Sequence, residues 1–284
     1  MIEIEKVAIV TDSTADFELS YYKEHDVCMV PLMVRFKEES FKDWIDIKPK
    51  EFYKKLRASD VLSKTSQPTV AQFEEVYKKL SRDHTHIISI HISSKLSGTI
   101  QSAQIASKNI NIPVTVIDGG LASLGTSILV DLAVKARDEG KTAVEIIEIV
   151  NKARNRVKIL FVVDTLKYLH MGGRVGKAQA LVGGLLKIKP ILTLEDGLVA
   201  PYKKARGTRK AMQEIVSIAK ESIDQDKSYC LVIAHGDAPD NLVYLKELLL
   251  KEGFKLSQTT EEEVGAVIGT YTGPGAIALA YYQE

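Results

Sequence analysis

The side chains most able to do chemistry in this sequence sit in two hydroxyl-rich stretches. Ser93-Ser94-Lys95-Leu96-Ser97-Gly98-Thr99 places five hydroxyl or amine donors within seven residues. The residues before it, His86 to Ile92, are β-branched and mostly apolar, as in a central strand. Ile100 to Ala106 then shows helical spacing without a breaker. A strand end leading into a helix start is the usual ligand crevice of an open α/β sheet, and a helix N-terminus favours anions. A helix cap needs fewer donors than this, so the stretch predicts a site for an anionic group. The second stretch, Thr65-Ser66-Gln67-Pro68-Thr69, also leads into a helix. Pro68 biases Gln67 to an extended backbone, so Thr65 and Ser66 belong to an ordered loop. Thr69 with Gln72 fits a capping box.

Three other groups bear on the chemistry. Asp12-Ser13-Thr14 follows a first strand, Val7 to Val10, and an aspartate there could serve as a phosphatase nucleophile. That chemistry wants a second acid where Ser13-Thr14 stands, and turn formation and capping by Asp12 and Ser13 is the plainer role. Lys95 could activate Ser97, but Leu96-Ser97-Gly98 lacks the leading glycine of a hydrolase elbow. A small hydrolase or phosphatase using Ser97 or Asp12 is therefore the alternative function. Gly172-Gly173-Arg174 is a glycine turn that presents Arg174 as a carboxylate partner. The nearby Gly176-Lys177 pair is no phosphate loop, because Met171 replaces its first glycine and Ala178 its magnesium-binding hydroxyl.

The elements that must position these groups alternate. Strands are expected at Val7–Val10, Val27–Val34, His86–Ile92 and Pro113–Asp118. Helices are expected through Leu19 and Tyr22, over Lys50–Ala58, from Thr69 through Leu80, up to Gly140, and over Thr142–Arg156. Glu38 to Asp46 reads as a polar loop holding the only tryptophan, Trp44. This order argues a Rossmann-like parallel layer, although Gly119-Gly120 lacks the spacing of a dinucleotide site. The basic run Asn151 to Arg156 marks a border between an α/β domain over 1–156 and a second over 157–284. The second begins with a strand at Ile159–Val163 and a short helix over Asp164–Leu169. A helix carrying Leu181, Leu185 and Leu186 follows Arg174. Next come a hairpin turning at Asp196-Gly197, helices over Thr208–Ile223 and Pro239–Lys251, and a strand at Tyr229–Ala234. A hairpin among helices implies a mixed sheet. The fold class is thus two-domain α/β.

Several classes are excluded. A net charge of +1 with 26% charged residues offers no field for nucleic acid. No apolar run is long enough to span a bilayer, which leaves only transient membrane contact. The first residues lack the pattern of a signal peptide, and Cys28 and Cys230 read as buried thiols in a reducing compartment, so a cytoplasmic location is expected. The six histidines form no metal-ligating pattern. Lys203, Lys204, Arg206, Arg209 and Lys210 form the dense basic cluster, either a solvated face or a docking patch for an acidic partner.

Taken in order, Thr11-Asp12-Ser13, Thr65-Ser66-Gln67-Pro68, Ser93 to Thr99, Gly172-Gly173-Arg174 and Gly273-Pro274-Gly275 resemble the DegV family over nearly the whole chain. The resemblance implies a long-chain fatty acid, such as palmitate or another C16–C18 acid, bound between two α/β domains. It implies no other cofactor, no metal and no catalysis by this chain. The implied role is the fatty-acid-binding subunit of bacterial fatty acid kinase. There a separate ATP-binding subunit phosphorylates the carried carboxylate to an acyl-phosphate for phospholipid synthesis. By position, Thr65 and Ser97 match the hydroxyls that bind the carboxylate, and Arg174 matches the arginine beside them. Ser66, Ser93, Ser94, Gly98, Thr99, Asp12 and Ser13 are the expected supporting residues, and Arg206, Arg209 and Lys210 the expected kinase-docking patch. A histidine usually stands two residues before the Gly-Pro-Gly run, where this chain has Tyr271. Tyrosine still donates a hydrogen bond but stays neutral at physiological pH.

Such a ligand is physically suited to a site of this kind. Burying about fifteen methylenes contributes roughly 12 kcal/mol before entropy costs, at about 0.8 per CH₂. Burying the carboxylate unpaired would cancel much of that, and hydroxyls, helix-start amides and an arginine offset the cost.

Overall fold

A computed structural model describes residues 5–183 and 188–283; Leu185 and Leu186 of the expected helix lie outside the described residues. The N-terminal layer is built from β1 (Val7–Asp12), α1 (Leu19–Glu24) and β2 (Val27–Val30). The expected single strand from Val27 to Val34 is two. Pro31 has no amide to continue a ladder, and after it β3 (Met33–Phe36) leaves the parallel sheet. β3 pairs antiparallel with β4 (Glu39–Lys42) and later with β5 (Lys64–Ser66). Part of the expected polar loop is thus the second strand of a hairpin, Glu39–Lys42, and its Trp44 is only 1% exposed.

α2 (Pro49–Ala58) follows, and α3 (Val70–Leu80) opens on the Thr69–Gln72 capping box. β6 (His86–His91), α4 (Thr99–Ser107) and β7 (Val114–Asp118) complete a four-stranded sheet of order β2-β1-β6-β7, parallel throughout. Next come α5 (Leu124–Asp138) and α6 (Ala143–Arg154), the latter opened by a Thr142–Glu145 capping box.

β8 (Lys158–Val162) starts the other large sheet, followed by α7 (Lys167–Met171) and a tight 3₁₀ segment over Gly176–Leu181. β9 (Ile188–Glu195) and β10 (Leu198–Arg206) form the expected hairpin. Its turn residues Asp196 and Gly197 have φ of 52° and 78°, the positive values that a two-residue hairpin turn of the primed kind requires. α8 (Thr208–Ser222), β11 (Cys230–Gly236), α9 (Pro239–Lys251), β12 (Thr259–Glu263), α10 (Ala266–Thr272) and β13 (Ala276–Tyr282) complete the chain. The six strands run in the order β10-β9-β8-β13-β11-β12. All neighbours are antiparallel except β11 with β12. The architecture is α/β, with one parallel and one mixed sheet.

α5 lies between the two large sheets, and its composition explains why. Ten of its residues are buried, including Leu124, Ile128 and Leu129. They share one apolar cluster with Ile9, Ile88 and Ile90 of the parallel sheet and with Phe161, Val232 and Ala280 of the mixed one. Each large aliphatic side chain buried there contributes about 1.5–3 kcal/mol. Near the other end of the chain, Ala266 and Val267 of α10 pack among Leu32, Val34 and Phe52. That packing sets the late residue Tyr271 against the early strand β5. Among the described residues, no helix is long and apolar enough to cross a membrane.

Candidate functional site

α10 is held to the first half of the chain by two buried carboxyls. The Gly265 amide donates to Asp16 Oδ1 at 3.1 Å, and the Ala266 amide to Asp43 Oδ1 at 2.9 Å. These amides at the helix start would otherwise lack partners. Burial pushes the Asp16 carboxyl well above the usual range and Asp43 up to about 7, against the pull of their hydrogen bonds. The other oxygen of Asp16 accepts from the Ser123 hydroxyl at 2.5 Å. Ser123 has φ of 50° and caps α5.

This bracing leaves a cavity of about 450 Å³ lined by the mixed sheet, by α10, by β5 and by the loop after β6, within the range of small-molecule sites. One part of its wall is polar and internally connected. The Thr65 and Tyr271 hydroxyls lie 2.5 Å apart. The Arg174 guanidinium lies 5.0 Å from the Tyr271 ring centre, over its face. Its Nε donates to the Leu96 carbonyl at 3.2 Å and its Nη1 to the Gly172 carbonyl at 2.8 Å. Gly172 has to be glycine here, since a Cβ would come within 2.4 Å of the Tyr271 ring. Ser97 completes the wall, its hydroxyl 2.9 Å from that of Thr99. Most of the remaining wall is apolar, with Ile159, Phe161, Leu169, Leu194, Val199 and Ile268 prominent and Ser66, Gln67, Ser123 and Thr272 its other polar residues.

A residue that the sequence patterns did not single out ties the two hydroxyl stretches together. Gln67 Nε2 donates to the Gly98 carbonyl and to the Ser102 hydroxyl, both at 3.1 Å. A Cβ at Gly98 would lie 2.1 Å from Gln67 Oε1, so glycine lets the amide close over the start of α4. The signal was present in the fixed extended backbone before Pro68. Thr65 and Ser66 belong to β5 rather than to a loop; Thr65 pairs with Val34.

Thr65, Ser66, Ser97, Gly98, Arg174 and Tyr271 all line the cavity. The other expected supporting residues stand behind it or away from it. Ser93 is buried, and its hydroxyl donates to the Gly197 carbonyl at 2.8 Å, fixing the β9–β10 hairpin to the β6–α4 loop. Thr99 is buried beside Ser97. Ser94 instead faces solvent, and its amide donates to the Asp118 carboxylate at 3.2 Å. Ser13 accepts from the Leu32 amide at 3.1 Å, bracing one cavity residue.

Asp12 is fully buried, which removes it from any reaction with a dissolved substrate. It accepts from the amide and hydroxyl of Thr14 and from the Ile92 amide. Its Oδ2 lies 2.9 Å from His91 Nδ1, and His91 Nε2 lies 2.7 Å from Ser89 Oγ, to which Tyr77 donates. This is a structural network between β1 and β6, and the phosphatase alternative fails on it. Ser97 as a hydrolytic nucleophile fares no better. Its hydroxyl partners a threonine, and among the described residues no histidine or carboxylate hydrogen bond reaches it.

The basic cluster is partly spent. Glu214 takes Lys203 at 2.7 Å and Lys210 at 3.3 Å. The Arg209 guanidinium lies 5.0 Å from the Tyr244 ring centre, and Arg206 is exposed at the end of β10. Cys28 and Cys230 are free and half-buried in β2 and β11. Among the described residues, no group of His, Cys, Asp and Glu side chains is arranged to hold a metal ion.

With this geometry in hand, comparison with known proteins defines the class. A family profile described as "Uncharacterised protein, DegV family" matches residues 6–284, and the chain belongs to the DegV family. A DegV domain-containing protein of Halalkalibacterium halodurans is 37% identical over 281 residues, covering 98% of this chain and 99% of that one. A fatty-acid-binding DegV family protein from Thermus thermophilus superposes with a TM-score of 0.93 at 34% identity, covering 98% of this chain and all of that one. A stearic acid-binding protein from Eubacterium ventriosum gives a TM-score of 0.90 at 26% identity, with 98% of each chain covered.

Proposed function

We propose that this protein binds a long-chain fatty acid in the 450 Å³ cavity, with the carboxylate against Thr65, Ser97, Arg174 and Tyr271. The observation that carries this reading is the junction of a hydroxyl pair and a guanidinium with a mostly apolar wall. A carboxylate replaces water there with charge-assisted hydrogen bonds, while the acyl chain leaves water entirely. Fatty-acid binding by structurally similar DegV proteins supports the ligand class.

We further propose that the chain is the non-catalytic carrier of a fatty acid kinase. A separate ATP-binding subunit would dock at the face bearing Arg206, Arg209 and Lys210. A carboxylate oxygen would then bond to the γ-phosphorus of ATP as the bond to the bridging oxygen breaks, giving an acyl-phosphate and ADP. The placement of the carboxylate contacts on the cavity wall, rather than in a closed catalytic cluster, supports presentation over catalysis.

Mass spectrometry under native and then denaturing conditions tests the first reading. The expected result is a mass excess equal to one fatty acid, lost on denaturation. Protein that carries no lipid and takes up none when offered oleate or stearate overturns it. The second reading requires hydroxylamine-trappable acyl-phosphate only when the kinase subunit, ATP and this protein are all present. Product formed equally from free fatty acid and kinase would remove the carrier.

A further inference from the structure

A second cavity, of about 230 Å³, lies between β12, α5 and the start of α1, and it shares no lining residue with the acyl cavity. Six of its lining residues are acids: Asp16, Glu18, Asp131, Glu261, Glu262 and Glu263. Among the described residues, only two of these have lysine partners, Asp131 with Lys135 and Glu261 with Lys246. The decisive residue is Glu262. It is 91% buried, and among the described residues neither of its carboxyl oxygens has a hydrogen-bond partner. Its neighbour Ser127 has already given its hydroxyl proton to the Leu124 carbonyl at 3.0 Å. A buried carboxyl left without a donor is costly, and here it lines a cavity from which a donor could approach.

We infer that this cavity binds a small organic cation, an aliphatic amine or diamine, whose ammonium pairs with Glu262. An ammonium supplies the missing donors and compensates the acidic wall. The aromatic part of the lining suits the carbon chain and the charge of such a ligand. Phe17 and Tyr21 stack there with ring centres 3.7 Å apart and planes within 5°, and aromatic faces attract cations. A metal ion fits less well, because among the described residues no three ligating side chains converge.

Binding should also move a proton. Burial holds the Glu262 carboxyl well above the usual range, with Asp16 and Asp131 adding to the effect. The other titratable groups on the cavity are Glu18 and Tyr21 from the first segment, Cys230 from β11, and Glu261 and Glu263 beside it on β12. Lys135 and Arg137 approach from α5. Asp16 is already held by Ser123 and Gly265. Glu262 is therefore the group that gives up its proton when an ammonium enters.

The test is isothermal titration of the full chain with putrescine, n-butylamine and guanidinium, at neutral pH and moderate salt. The expected result is one saturable site for at least one amine, with affinity at least about tenfold weaker in Glu262→Gln. Repeating the titration of the unaltered protein in two buffers of different ionisation enthalpy should show release of close to one proton. That reading needs no variant and so survives a Glu262→Gln chain that fails to fold. Absence of a saturable site for all three probes, binding unchanged in Glu262→Gln, or binding without proton release each overturns the assignment.

Discussion

The hydroxyl of Tyr271 lies 2.5 Å from that of Thr65, although 206 positions separate the two residues. Thr65 is fixed by strand pairing with Val34 and Tyr271 by the packing of α10 on the same small sheet. The pair therefore joins the two ends of the fold at the edge of the 450 Å³ cavity, where Arg174 lies over the tyrosine ring.

Tyr271→Phe separates the two roles of that residue. The ring beneath Arg174 remains, while the hydroxyl beside Thr65 is lost. A hydrogen bond to a charged group contributes about 1.5–3 kcal/mol, so fatty-acid affinity should fall roughly ten- to hundredfold with little change in thermal stability. Displacement of a fluorescent fatty acid measures it. Unchanged affinity would take Tyr271 out of the carboxylate site.

Gly98→Ala and Gln67→Ala should act on one contact. The added methyl of Gly98→Ala meets the Gln67 amide at 2.1 Å. Gln67 is exposed and can swing away, so both changes release the same two hydrogen bonds, to Gly98 and Ser102. Each should loosen the Ser97 loop and cost about 1 kcal/mol of stability. The double variant should cost little more than either single one. Additive losses, measured by urea denaturation, would show that Gly98 matters for another reason.

Much of this site was legible because hydroxyl-rich strand ends and a Gly-Gly-Arg turn are local signals. Thr65, Ser97 and Arg174 all reach the cavity. The exceptions have physical causes. Asp12 and Ser94 carry the same polar chemistry as their neighbours, and only packing decides that one is sealed inside a network and the other left in solvent. Pro31 signals a break, yet nothing local says that the chain afterwards joins a different sheet. The apolar wall was legible only as coming from the Leu, Ile and Val of the second half, because Val199 and Ile268 have the pattern of ordinary core. The role of Asp16 and Asp43 in holding α10 depends on pairings across 249 and 223 positions, beyond the reach of any spacing rule.

Those two carboxyls give the protein an unusual pH profile. Asp43, fully buried, titrates at about 7 in the folded chain, against about 3.9 when exposed. Between roughly pH 4 and 7 the folded state thus holds a proton that the unfolded state has released. Stability from this group is fully present below the unfolded value and is lost as pH rises, by about 1.4 kcal/mol per pH unit. Asp16 and Glu262, both raised well above the usual range, extend the loss to higher pH. The urea midpoint should fall between about pH 5 and 7, with a smaller slope in Asp43→Asn. An identical slope in that variant would mean that Asp43 is already charged in the folded protein.

Among the described residues Arg206 and Arg209, unlike Lys203 and Lys210, have no carboxylate partner. Glu214 pairs with both Lys203 and Lys210, while Arg209 rests on the Tyr244 ring and Arg206 projects from the end of β10. An acidic partner would meet these two guanidiniums first, and their charges are more readily given up to a partner than those already paired. Neither residue lines the 450 Å³ cavity. Arg206→Glu with Arg209→Glu should therefore leave fatty-acid content unchanged by native mass spectrometry. In a reconstituted assay it should lower acyl-phosphate formation at limiting carrier about tenfold or more, chiefly by raising the carrier concentration needed for half-maximal rate, with a matching loss of salt sensitivity. Equal coupling of variant and wild type would make this cluster a solvated face and move the search for the kinase contact to the rim around Thr65 and Arg174.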